Sequence, residues 1–341
     1  MALTRVLPAV VIAAALAAPA PVPSWTVLKS GVIARLRGVS AASARVVWAS
    51  GTDGTVIRTE DAGQNWVRLN IPETEKLDFR DVDAIDERTA YVLSIGPGEA
   101  SRIYKTSDAG KSWTLQFRNA EAKAFYDAMA FRDERRGFAF SDSVDNTFVI
   151  LQTSDGGTSW NRVPTSALPP ALPGEGAYAA SGTNVVVRRD LVWIATTASR
   201  VLRSTDGGRS WTIAKTPLAN GPSAGIFSIA FRDAQHGIVV GGDWSKVREA
   251  VDNAAITSDG GATWTLVKGL GGFRSLVAYV PGTEASFLAV GPSGADLTRD
   301  GGNTWTPIEG PGFHTFTFVP GQPMGWAAGS GGRIATLTIT K

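Results

Sequence analysis

Thr106-Ser-Asp108-Ala-Gly110-Lys-Ser-Trp113 is one of six copies of a single phrase, Ser/Thr-x-Asp-x-Gly-x-x-Trp. The other copies start at Thr59, Thr153, Ser204, Thr257 and Thr298 and end at Trp66, Trp160, Trp211, Trp264 and Trp305. Their aspartates, Asp61, Asp108, Asp155, Asp206, Asp259 and Asp300, recur at intervals of 41 to 53 residues. A fixed phrase at that period marks a repeat architecture. Each copy lies between two short apolar runs, such as Ser101–Lys105 and Trp113–Phe117, so it reads as a hairpin turn. Asp closes the loop by accepting backbone N–H groups. Gly supplies a positive φ, and Trp opens the next strand with a large ring to bury. These roles are structural: one aspartate per repeat cannot converge on a substrate.

Outward from the turns, seven four-stranded repeats follow, at approximately Ile33–Asn70, Leu77–Asn119, Lys123–Thr165, Gly176–Thr216, Gly225–Gly269, Gly272–Glu309 and Gly312–Thr340. The last repeat lacks its fourth strand and its aspartate turn. Near the other end, Ser24-Trp25-Thr26-Val27-Leu28 resembles the strand after each turn, as in Ser112-Trp113-Thr114-Leu115, but no turn precedes it. The two fragments complete each other. The expectation is an all-β, seven-bladed β-propeller of antiparallel four-stranded blades, closed by Trp25–Leu28 pairing with Arg333–Thr338.

The chain has 341 residues, 38 Gly, no Cys and a formal net charge of +2. The lack of Cys excludes disulfides, thiol catalysis and thiolate metal sites. Near-neutral charge gives no field for nucleic acid. The two histidines, His236 and His314, are too few and too far apart for a metal centre. There is no Gly-rich dinucleotide turn and no haem ligand pattern, so no cofactor is implied. Arg5, the apolar run Val6–Ala18 and Ala18-Pro19-Ala20 read as a signal peptide over residues 1–20, cleaved near Ala20. One propeller domain over 21–341 follows, periplasmic or secreted.

Candidate functional residues lie away from the turns. Aligning the innermost strands on Leu36, Phe79, Phe125, Ala177, Ile226, Phe273 and Phe313 puts Arg37, Arg80, Tyr126, Tyr178, Phe227, Arg274 and His314 next in line. Alternation along a strand gives them one facing, around one mouth of the channel. Such a ring suits an anionic or aromatic ligand or an acidic peptide tail. The plainer reading is a solvated rim paired with Asp81 and Asp127. Two insertions, Pro164–Glu175 and Asp243–Asn253, interrupt the repeats, and long loops on a rigid scaffold are where binding concentrates. An enzyme reading needs a carboxylate pair. Asp142 and Glu175, on loops of adjacent blades, are the first candidates, with Asp243 a third.

The six turns are those known as Asp-boxes or BNR repeats, a pattern that sialidases and other glycosidases also carry. The sialidase Arg-Ile-Pro signature is absent. With the repeats placed, the chain resembles the photosystem II stability/assembly factor family across nearly its whole mature length. The resemblance rests on Phe231-Arg232-Asp233-x-x-x-Gly237 and Phe131-Arg132-Asp133 before Gly137, on the Asp-boxes, and on Ser141-Asp142, Pro173–Gly182, Ser223–Ser228 and Gly241-Gly242-Asp243. It looks most like members from non-photosynthetic bacteria. It implies a seven-bladed exported propeller that binds membrane-protein intermediates through an arginine-lined surface. The partner is then a protein or, on the alternative glycoside hydrolase reading with Asp142 and Glu175, a polysaccharide.

Overall fold

The computed structural model describes residues 23–340 and shows seven sheets of four antiparallel strands, each sheet a blade. The expected signal peptide lies outside the described residues. Blade 1 runs from Leu36–Ala41 to Val67–Leu69, blade 2 from Asp78–Ala84 to Thr114–Arg118, and blade 3 from Tyr126–Phe131 to Asn161–Arg162. Blades 4, 5 and 6 begin with Val185–Arg188, Ala224–Phe231 and Leu276–Tyr279. Blade 7 takes Thr315–Phe318, Met324–Ala328 and Arg333–Thr338 from the end of the chain and its outer strand, Trp25–Lys29, from the beginning. The clasp is as expected: Trp25 pairs with Leu337 and Lys29 with Arg333. Trp25 also packs on Phe313, ring centroids 4.7 Å apart.

Second strands such as Val47–Gly51 and Phe287–Gly291 are buried throughout because neighbouring blades cover both faces. The aspartate turns lock the third strand to the fourth. Thr106 Oγ1 donates to Asp108 Oδ1 at 2.9 Å, and Ser112 N and Oγ donate to its two oxygens at 2.9 and 2.6 Å. The Ser112 donors hold the Asp108 carboxyl at about 2. The residue after each aspartate also ties its turn to the hairpin between the first two strands of the same blade, as Ala109 N does to Arg88 O and Gly260 N to Gln235 O.

The Phe-Arg-Asp-x-x-x-Gly phrase has a packing origin. Phe231 lies over Gly237, where an added Cβ would meet its ring at 2.6 Å. The ring stacks on Trp193 of blade 4 at 3.8 Å, and Trp193 Nε1 donates to Gly260 O of blade 5. Phe131, Tyr91 and Gly156 O repeat the arrangement between blades 2 and 3. Aromatic rings thus bolt blade to blade.

Blade 4 differs from its sequence expectation. The Ala177–Tyr178 stretch is not its innermost strand; that strand is Val185–Arg188. Residues 178–183 instead cross the channel and plug it. Ala179 O and Ala180 O accept from Arg80 and Arg37, Ser181 Oγ donates to Ser275 O, and Thr315 Oγ1 donates to Ser181 O. One short segment therefore touches blades 1, 2, 6 and 7. Gly182, at φ 72°, permits the crossing against Asp81, whose Oδ1 would stand 2.2 Å from a Cβ there.

Candidate functional site

The plug makes one mouth of the channel a blind cavity of about 590 Å³. A β-bulge builds its wall. In blades 1, 2, 3 and 5 the first strand carries a register shift, and the extra residues are Arg37, Arg80, Asp127 and Phe227. A bulge re-aims a side chain. Arg37, Arg80, Tyr178, Phe227 and His314 line the cavity, as the sequence suggested.

Two ring positions are corrected. Tyr126 is buried between blades 2 and 3 against Phe117, centroids 5.1 Å apart, because the bulge in blade 3 falls one residue later, at Asp127. Arg274 is 3% exposed and turned into blade 6. Its Nε donates to Asp296 Oδ2 at 2.7 Å and its Nη1 to Ser293 Oγ at 3.0 Å. Phe273 takes the cavity wall instead. Tyr178 reaches the cavity from the plug, not from a strand.

The cavity is divided. Arg37, Arg80 and His314 hold one side. Arg80 is braced by Asp78 at 2.8 Å. Burial, then Arg80, lowers the Arg37 pKa to about 10, and its Nε has no partner among the described residues. Burial and then Arg37, Arg35, Arg80 and Arg333 push His314 down to about 3, so it stands neutral, its Nε2 2.8 Å from Ser330 Oγ. Aromatic rings hold the other side. Tyr178 stacks on Phe227 at 3.8 Å and 4°, and Phe227 meets Phe273 edge-on at 4.6 Å. Trp244, 53% exposed, leans in from the Asp243–Asn253 insertion. That insertion is pinned where Phe273 N and Ser293 Oγ donate to Val247 O. The alignment of strand starts passed over Trp244, Phe273 and Asp127. Counting four residues back from the last residue of each first strand would have found Asp127.

The carboxylate pair does not assemble as expected. The Glu175 side chain is 0% exposed and ion-paired with Arg200 through both oxygens. Thr196 Oγ1 and Leu172 N also donate to it. A carboxylate sealed in this way cannot reach a substrate, and the insertion carrying it staples blades 3 and 4 together. Asp142 turns to Ala177 N at 3.2 Å, and burial raises its pKa to about 6. Its electrostatic neighbour is Asp127, whose pKa burial and then Asp142 hold well above the carboxylate range. Asp243 caps the start of its own loop, accepting from Ser245 N and Oγ. Among the described residues no group of three or more His, Cys, Asp or Glu is placed to hold a metal ion.

No family model matches the chain, and no curated protein matches it in sequence. Solved structures do share its fold. YCF48 bound to D1 peptide superposes with a TM-score of 0.65 at 17% identity, over 94% of this chain and 100% of that one. YCF48 from Cyanidioschyzon merolae gives 0.66 at 17% identity, over 92% of this chain and 98% of that one. The GH74 xyloglucanase from Xanthomonas campestris gives 0.62 at 16% identity, over 92% of this chain and 53% of that one. At these identities the likeness is one of fold: this chain is a seven-bladed β-propeller similar in architecture to YCF48.

Proposed function

We propose that this chain is a binding propeller that captures a polypeptide segment at the plugged mouth, acting outside the cytoplasm as an assembly factor for a partner protein such as a membrane-protein intermediate. The divided cavity carries the reading. Guanidinium groups on one side and the exposed Trp244 ring beside half-buried Tyr178 on the other fit a segment with acidic and aromatic or large apolar side chains. A largely preformed cavity with a few convergent polar groups is the usual form of a binding site. The YCF48 structure with a D1 peptide supports the reading by showing a propeller of this architecture beside a peptide.

The test is fluorescence anisotropy with labelled acidic, aromatic peptides against the whole chain. Arg37→Ala and Trp244→Ala are each expected to weaken binding about tenfold, the scale of one lost charged or aromatic contact. Unchanged affinity in both variants would remove the mouth as the site. The exported address, read from residues 1–20, is tested by fusing them to a reporter active only outside the cytoplasm.

A further inference from the structure

We propose a second site, independent of the mouth, in the groove between blades 3 and 4 at the other end of the ring, and assign it to a phosphorylated sugar. The groove holds about 480 Å³. Its walls are the hairpin turns of blades 3 and 4 and the aspartate turn of blade 4, all on the far end of the strands from the mouth. Four arginines line it: Arg132, Arg136, Arg189 and Arg209. Arg132 is anchored by Asp190 at 2.7 Å, and Arg209 Nε donates to Asp206 O at 2.8 Å. Arg136 and Arg189 are exposed, and among the described residues their guanidinium groups make no hydrogen bond or ion pair, although Arg136 lies in the field of Asp133.

The repeat supplies its own reference. The corresponding groove between blades 5 and 6 is lined by Arg232, His236, Ile238, Ile256, Asp300 and Asn303. There Arg232 donates to Glu284 O and His236 bonds to Asp233. Where that groove has Ile238, Ile256 and a single, occupied arginine, the blade 3 and 4 groove has Phe138, Gln152, an exposed Asn161 and four arginines. The common architecture does not require this difference.

Arg189 can be removed without disturbing the turn that carries it. It stands at φ 55°, in the left-handed region that Gly or Asn usually fills in a hairpin turn. Eight other described non-glycine residues share that region, Ala62 and Ala109 of the aspartate turns among them, and at each glycine would fit without strain.

Charge sets the ligand class. Four guanidinium groups against Asp133, Asp190 and Asp206 leave an excess of one positive charge, the sign that an anionic phosphate monoester requires. The planar guanidinium fork suits phosphate oxygens. Gln152, Ser154 and Asn161 offer partners for hydroxyls and Phe138 an apolar floor for a sugar ring.

Calorimetric titration of the whole chain with glucose 6-phosphate, inorganic phosphate and glucuronate tests this. Glucose 6-phosphate is expected to bind tightest, and Arg136→Ala with Arg189→Gly to weaken it at least tenfold. Arg189→Gly alone keeps or raises the melting temperature, because glycine suits that φ, so weaker binding in that variant is not misfolding. Asn303→Ala, in the other groove, leaves binding unchanged. Absence of saturable glucose 6-phosphate binding, or full affinity in the double variant, overturns the site. Equal affinity for inorganic phosphate overturns the sugar.

Discussion

Glu175 and Arg200 show how one pair can decide between two functions. Both are buried, and each satisfies the other. Glu175→Gln would leave the Arg200 charge buried without its counter-ion, at a cost of about 3–5 kcal/mol. Urea unfolding is expected to show that loss while peptide binding at the mouth persists. A folded, fully stable variant that had lost activity on a glycoside would instead restore Glu175 as a catalytic group. His314 predicts a pH effect. Burial, and then four arginines, hold its pKa at about 3 and leave it neutral. An anionic ligand beside it favours the charged ring, so binding takes up a proton. Affinity for a carboxylate-bearing peptide should therefore rise as pH falls from the raised pKa of the bound state toward about 3, by at most about tenfold per pH unit. His314→Gln should flatten that slope in anisotropy titrations at pH 5 and pH 7.

The strands explain what could and could not be read beforehand. The aspartate turns and the Phe-Arg-Asp-x-x-x-Gly hairpins were legible because each needs particular residues locally: a carboxylate to collect N–H groups, and a glycine beneath a ring. Gly237→Ala tests the second. Its Cβ would sit 2.6 Å from the Phe231 ring, so a destabilisation of about 1–3 kcal/mol is expected by chemical unfolding. The mouth was legible only in part, because its register hangs on the bulge, and a bulge has no fixed residue signature. Counting back from the hairpins instead of forward from the strand starts yields Arg37, Arg80, Asp127, Asn184, Phe227, Ser275 and His314. That count corrects Tyr126 and Arg274. The plug was not legible at all. Tyr178–Thr183 reads as strand, and only its contacts with blades 1, 2, 6 and 7 explain why it leaves the sheet.

At the scale of the whole molecule, the plug and the clasp hold the ring from the inside and the outside. Gly182→Ala, which sets a Cβ against Asp81, should loosen the crossing segment. Hydrogen exchange is expected to rise across residues 178–183, and binding at the mouth to weaken with it. Unaltered protection there would mean the plug tolerates the methyl. Trp25→Ala should cost about 3 kcal/mol by removing the ring that packs on Phe313 and Phe316. It should also expose the Arg333–Thr338 edge to pairing between molecules, visible as larger species in size-exclusion chromatography. The clasp also governs the order of biosynthesis. A ribosome makes Trp25–Lys29 before the other strands of the ring, yet the strand they pair with is roughly 300 residues downstream. Blades 1 to 6 can form as they emerge, but the clasp strand has to wait, unpaired, until Arg333–Thr338 has been added. Until then the nascent propeller is an open arc, and it becomes a ring only once that strand has been made.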